Sequence, residues 1–376
     1  MKKFIKMSLI AATAISSLST SVGAKTLADI ADNIDVFGYA QVRYDDRSTD
    51  ANTGNSIDNG SSYTHKEVLG LTGKISDDLS YMFAGAQLSS NQTDESIGYQ
   101  GFLMVYNYFT YTGIKNTSIS AGRQGLSSPL TVVYDPATAT SEANGVSLTT
   151  KLGKATINAA YYSSTNFDLG DKVSVFPGIA IDGGESYTNL GITGNAGSIS
   201  FDAWYAEMED KYNSFTIGAS TKIVTDNMTV APFARYTSAD IDNVDADQKL
   251  WKAGVDVKVS IFGAGVSYGQ THKEGGWVTF DKEAEVNLEG WQLGLLGNAD
   301  ADLMKVNVNV DVISDLNIAL NYADMNIANQ SQSEIYLLSK YQMTPSFSGT
   351  VTLGQVDIDG ESDKRDLGRV ELLWIF

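Results

Sequence analysis

Ten charged residues share one placement. Arg43, Asp202, Arg235, Lys252, Asp256, Lys305, Asp311, Lys340, Arg369 and Glu371 each fall on the polar side of a stretch whose alternate residues are apolar or small. A period of two puts successive side chains on opposite faces of a strand. If the apolar set meets lipid, all ten charges face a common interior. Fixed charges of both signs around a narrow aqueous passage sort ions electrostatically. The plainer alternative is that they pair across strands and stiffen the wall.

A second group lies in one stretch, 126–144, which carries Asp135 and Glu142 and is stiffened by Pro129 and Pro136. Folded inward, it would form a constriction whose acids attract cations and reject anions. Arg123 precedes it and would hold a transverse field against Asp135 or Glu142. Its parity is that of Ile119 and Ala121, so an inward Arg123 requires a bulge or a strand-end position.

Two acidic runs offer oxygen ligands: Asp240, Asp242, Asp245 and Asp247, then Asp357, Asp359, Glu361 and Asp363. Hard divalent cations want several such ligands. Loosely bound Ca²⁺ or Mg²⁺ bridging to lipopolysaccharide phosphates is one use for them, although neither run has EF-hand spacing and solvated loops are the simpler reading. Catalysis has little to work with. The histidines are His65 and His272, there is no cysteine, and neither a phosphate-binding glycine loop nor a strained nucleophile elbow is present. An outer-membrane hydrolase built on His65, Glu67 and the serines at 61–62 lacks that elbow. The expectation is no catalytic residue, no enzyme activity and no cofactor.

The elements that must position these charges are strands. "WKAGVDVKV" sets Trp251, Ala253, Val255, Val257 and Val259 against Lys252, Asp256 and Lys258. "MKVNVNVDV" sets Met304, Val306, Val308 and Val310 against Lys305, Asn307, Asn309 and Asp311. Such stretches recur about 18 times, joined alternately by short turns and long polar loops, the pattern of a transmembrane antiparallel β-barrel. Long loops are expected at 47–61, 89–100, 126–144, 164–185, 238–249, 271–301 and 357–366. "GWQLGLLG" (290–297) resembles a strand, but counting it makes the total odd, so it is assigned to a structured part of its loop. Pro232 interrupts the strand over 228–237 and calls for a bulge. Tyrosine and tryptophan at strand ends suit the lipid–water boundary.

The N-terminus reads as a secretory leader. Lys2, Lys3 and Lys6 precede an apolar stretch, and Val22-Gly23-Ala24 fits a cleavage site, so residues 1–24 are expected to be removed after export through the Sec pathway. Residues 25–376 then form a single barrel domain of 352 residues. Taking the leader's three lysines from 26 basic residues, against 45 acidic ones, leaves a net charge of −22. Such a field repels nucleic acid and attracts cations. No window after residue 24 is apolar enough for a membrane helix, which leaves a barrel open.

The opening "TLADIADNIDVFGYAQVRYDD" resembles the mature start of campylobacter-type major outer-membrane porins. The stretch "FTYTGIKNTSISAGRQGLSSPL" is similar to that group and, more loosely, to the carboxylate-channel porins, where a Gly-Arg-Gln strand leads into a loop folded into the pore. The last strand, "GRVELLWIF", ends on Phe376 beside Trp374, which matches the assembly signal of outer-membrane proteins. The resemblance implies a homotrimeric porin in the bacterial outer membrane, inserted by the barrel-assembly machinery among lipid and lipopolysaccharide. It implies passive diffusion of small hydrophilic solutes, with cations preferred. The basic ladder of the carboxylate channels is thin here. The alternative is an exported all-β adhesin without a channel.

Overall fold

A computed structural model describes residues 33–48, 60–91, 98–99, 102–132, 141–167, 181–328, 330–360 and 364–376. The leader expected at 1–24 lies outside them, as do Asp135, Pro136, Glu361 and Asp363.

The described residues form twenty strand segments: β1 (Ile34–Ser48), β2 (Gly60–Lys74), β3 (Leu79–Asn91), β4 (Gly98–Tyr99), β5 (Leu103–Tyr111), β6 (Thr117–Gly125), β7 (Glu142–Leu152), β8 (Ala155–Thr165), β9 (Tyr187–Ala196), β10 (Ile199–Met208), β11 (Tyr212–Thr221), β12 (Ile223–Val224), β13 (Met228–Ile241), β14 (Gln248–Val259), β15 (Phe262–Thr271), β16 (Ala301–Ile313), β17 (Leu316–Ile327), β18 (Gln330–Thr344), β19 (Phe347–Ile358) and β20 (Arg365–Ile375). Two of them, β4 and β12, are two-residue pieces riding on β3 and β13. The other eighteen pair antiparallel in chain order, and β1 closes on β20. Closure leaves no open edge, as a sheet in lipid requires.

Alternation decides the two faces. Val306, Val308, Leu320, Leu337 and Leu353 are exposed on one side. Lys66, Arg235, Thr237, Asn321 and Glu334 are buried on the other. The buried side is the interior, because residues from strands between β7 and β20 meet there in one apolar cluster, while Val68, Ala84, Ala86 and Val105 of β2, β3 and β5 form a second. Tyr44, Tyr161, Tyr236, Trp251, Tyr268 and Tyr322 are exposed on the outer face toward the loop end.

Several local expectations are corrected. No register shift accompanies Pro232, which stays opposite Val255 of β14. The irregularity falls on its other neighbour. There β13 pairs with β11 as far as Ser220↔Phe233 and resumes with β12 at Ile223↔Val230, in the same register. A two-residue gap in the ladder thus faces the residue that has no N–H to give. At the loop end, β10 passes to β11 through only 209–211, a short connection where alternation suggested a long one. β7 begins at Glu142, three residues before the expected start of that strand, so Glu142 belongs to the wall. The stretch 290–297, by contrast, is the structured part of its loop, as expected, with a Glu289↔Gly294 bridge and no barrel strand.

Candidate functional site

The connection between β15 and β16, residues 272–300, folds into the barrel. Its apolar residues Val278, Phe280, Val286, Leu288, Leu293 and Leu295 are all buried. They join Tyr212 and Met208 of the wall and Leu126 and Leu130 of the stretch after β6. Phe280 stacks on Phe167 at 4.9 Å and meets Tyr212 edge-on at 4.7 Å. The two inward loops also bond to each other. Val286 N donates to Pro129 O at 3.1 Å, and the Thr279 hydroxyl donates to Leu130 O.

Polar wall residues fix this loop from below. Tyr212 and Ser214 donate hydroxyls to Val278 O at 2.9 and 3.0 Å. Arg235 donates to Glu285 at 2.8 Å and pairs with Asp202 at 2.8 Å. Lys252 donates its ammonium to Glu285 O, and to Asn287 O at 2.7 Å. Lys305 donates to Glu289 O at 2.9 Å. The Glu334 carboxylate accepts N–H groups from Trp291 at 2.6 Å, Gln292 at 2.8 Å and Leu293 at 3.3 Å. Charge-assisted bonds of this kind are roughly twice as strong as neutral ones. A buried charge also needs its partners to remain buried.

One glycine makes room for the strongest of these links. Asp202, Gly218 and Arg235 lie in one register row across β10, β11 and β13. The ion pair spans the glycine, and a Cβ on Gly218 would come within 2.6 Å of Arg235 and 2.7 Å of Asp202.

The seam of the barrel carries a second ionic device. Arg43 faces Glu371 and Asp45 faces Arg369 in successive inward positions of β1 and β20. Arg43 reaches Glu371 at 2.9 Å and Arg369 reaches Asp45 at 2.5 Å. Arg369 also lies over the ring of Trp291, 5.7 Å from its centroid, so the inner loop touches the seam. Near the turn end Asp311 pairs with Lys258 at 2.8 Å and accepts from Asn317 at 2.7 Å. Asp256 and Lys340 are exposed on the same inward side of β14 and β18.

Arg123 and Glu142 form an ion pair at 2.8 Å. The ladders on both sides of β6 run through Arg123 without a shift, so it keeps the outward parity of Ile119 and Ala121. Glu142 lies on the face opposite Ala143, which belongs to the interior cluster. No bulge supplies the change of face that an inward Arg123 requires, and the Glu142 carboxylate it meets is buried at the loop end of β7.

Among the described residues the acidic runs do not converge on one site. Among the described residues, one group with ligand spacing is Asp247, His272 and Glu274, with ligand atoms within 4.8 Å of one another; Asp240, Asp242, Asp245, Asp357 and Asp359 are outside it. Lys249 already meets Asp247 at 2.6 Å, and that bond holds the Asp247 carboxyl below its ordinary value. Asp357 pairs with Lys364 at 3.0 Å.

The sequence matches the family model described as Campylobacter major outer membrane protein over residues 1–337. The chain belongs to that family. No curated protein matches the sequence. Solved structures resemble the fold at low identity. Acinetobacter baumannii OccAB4 is 13% identical with a TM-score of 0.71, covering 92% of this chain and 98% of that one. Pseudomonas aeruginosa OccK9 (OpdG) is 13% identical with a TM-score of 0.75, covering 92% and 99%. Pseudomonas aeruginosa OccK2 (OpdF), solved with glucuronate, is 11% identical with a TM-score of 0.74, covering 92% and 98%. As a Campylobacter major outer membrane protein the chain is a porin of the outer membrane. In such barrels the short turns face the periplasm and the loops face outward.

Within this porin, sequence reading missed Glu334 and the carboxylates of the inner loop. Glu334 shares the parity of Lys340, six residues on in the same strand, so the same rule would have found it. The inner loop had its own signal. Val278, Phe280, Val286, Leu288, Leu293 and Leu295 are too many large apolar residues for a loop in water.

Proposed function

We infer that this porin passes small hydrophilic solutes and ions without catalysis, prefers cations, and works as a homotrimer. The observation that supports the preference is the charge of the inner loop. Residues 281–289 carry Asp281, Glu283, Glu285 and Glu289 against Lys282. Glu283 and Glu285 are exposed within the barrel. The wall bases beside them are engaged: Arg43, Arg235 and Arg369 on carboxylates, Lys252 and Lys305 on loop carbonyls. Acids projecting into a confined aqueous passage favour cations, and engaged bases offer little to a solute carboxylate.

The test is planar-bilayer recording of the purified protein in a KCl gradient. The reversal potential is expected on the cation side, and to move toward zero in Glu283→Gln/Glu285→Gln. A reversal potential on the anion side overturns the preference. A preparation that inserts but conducts nothing overturns the open passage. Assembly in this reading draws on Phe376, whose N–H and C=O pair with Gly38 at 3.0 and 2.9 Å and whose ring lies 4.6 Å from that of Trp374.

A further inference from the structure

The inward row of Asp202, Gly218 and Arg235 has a counterpart two rows nearer the turn end. There Ala231 of β13 stands opposite Asp256 of β14. On its other side, the common register of β11 and β12 with β13 sets Lys222 opposite Ala231, inside the gap in that ladder. A base and an acid again flank a small inward residue. Two strand spacings separate them, about 10 Å. In the upper row the charges meet across the glycine. In the lower row they do not, and among the described residues neither Lys222 nor Asp256 is in an ion pair. Nearby charges are already matched: Lys258 meets Asp311 at 2.8 Å, and Arg235 holds Asp202 and Glu285.

Lys222 and Asp256 are both exposed and line one cavity of about 370 Å³ on the inner wall. The two-residue gap opposite Pro232 forms part of its rim. The row between the two charged rows supplies the rest. Ser220 stands there opposite Phe233, and Phe233 opposite Gly254. A Cβ on Gly254 would come within 2.7 Å of the Phe233 ring, so the ring lies across that glycine. The cavity therefore offers an acid, a base, a hydroxyl and an aromatic ring. Few placed polar groups beside an apolar surface are the makings of a small-molecule site. A solute with one charge would engage one flank and leave the other to water. A solute with both charges and an apolar group engages all of it through charge-assisted hydrogen bonds.

We propose that this cavity is a subsite for a small zwitterion, an α-amino acid with an apolar side chain. Asp256 accepts from the ammonium, Lys222 and the Ser220 hydroxyl donate to the carboxylate, and the side chain lies on Phe233. The proposal rests on the open passage inferred above and assigns it a class of solute. Both charges of the site stand in water, so the solute is held weakly enough to leave, as conduction requires.

The experiment measures binding of millimolar L-leucine to the purified full-length protein in detergent at low ionic strength, by saturation-transfer NMR. The comparison ligands are 4-methylpentanoate, which lacks the ammonium, and 3-methylbutylamine, which lacks the carboxylate. L-Leucine is expected to bind at least tenfold more tightly than either. Equal binding of one of them, or no binding of L-leucine, overturns the proposal. Asp256→Asn and Lys222→Gln change exposed side chains, and each is expected to weaken L-leucine binding at least tenfold while heat-modified migration stays as it was. Unchanged affinity in both variants overturns the assignment. Glycine carries the same two charges without the side chain, and the preference for L-leucine over glycine should shrink in Phe233→Ala; an undiminished preference removes Phe233 from the site. Conductance in KCl is read in bilayers on the same preparations. A protein that conducts but binds no L-leucine sinks this subsite and leaves the passive channel standing. One that binds L-leucine but does not conduct keeps the subsite and overturns the passage.

Discussion

Glu334 grips the tip of the inner loop through the backbone of Trp291. Its carboxylate takes the Trp291 N–H at 2.6 Å and those of Gln292 and Leu293 beside it. Three successive amides aimed at one carboxylate form a small anion nest, here filled by the wall itself. Trp291 then reaches Tyr336 and Arg369 with its ring. One strand residue thereby decides where the loop tip stands in the passage.

Removing that grip should loosen the tip. Glu334→Ala leaves three partly buried N–H groups without their acceptor, at about 1–3 kcal/mol for each that stays unsatisfied. Protease cleavage near 290–293 is expected to accelerate, and single-channel records should become noisier. Unchanged cleavage and quiet records would show that the apolar contacts of Leu293 and Leu295 suffice.

Gly218→Ala is expected to break the link that crosses it. The added methyl needs the space of both Arg235 and Asp202. Separating a partly buried ion pair costs about 1–3 kcal/mol, less where water can enter. The measurement is the temperature of the heat-induced migration shift, which should fall, and more than in Gly197→Ala at an open turn. Gly197 has a positive φ of 66°, so that control carries its own backbone strain and bounds the comparison from above.

The inner loop should tighten in acid. Burial, with Glu283 close by, pushes the Glu289 carboxyl up to about 7, while Lys282 and Lys305 oppose the shift. A carboxyl whose folded value exceeds its free value of 4.5 stabilises the packed loop fully below 4.5 and loses that contribution as pH rises toward 7. Hydrogen exchange at Leu288–Leu295 is expected to be slower at pH 5 than at pH 8, after correction for intrinsic rates. In Glu289→Gln the difference should shrink; a difference of unchanged size would assign it elsewhere.

A double-mutant cycle at Arg43 and Glu371 should show coupling. Both side chains are mostly buried at the seam, at 11% and 19% exposure, so each single truncation strands a charge. Arg43→Ala and Glu371→Ala are each expected to lower resistance to unfolding by about 1–3 kcal/mol, and the double variant by less than their sum. Additive losses would mean that solvent already screens the pair.

Sequence alone determined the wall. Alternation at a period of two is local chemistry, and a strand has only two faces. Arg43, Arg235, Lys252, Lys305 and Glu371 could therefore be placed on one side from their neighbours, and all eighteen long strands were legible. Arg123 shows the same rule from the other side, since its parity already put it with Ile119 and Ala121, where the ladder keeps it. Tertiary structure decided what stands inside the wall. No local period says that residues 272–300 turn inward or that Glu334 meets Trp291, 43 positions away. Those contacts exist because closure of the sheet brings distant strands around one space, and the loop's apolar residues find there the burial that water denies them.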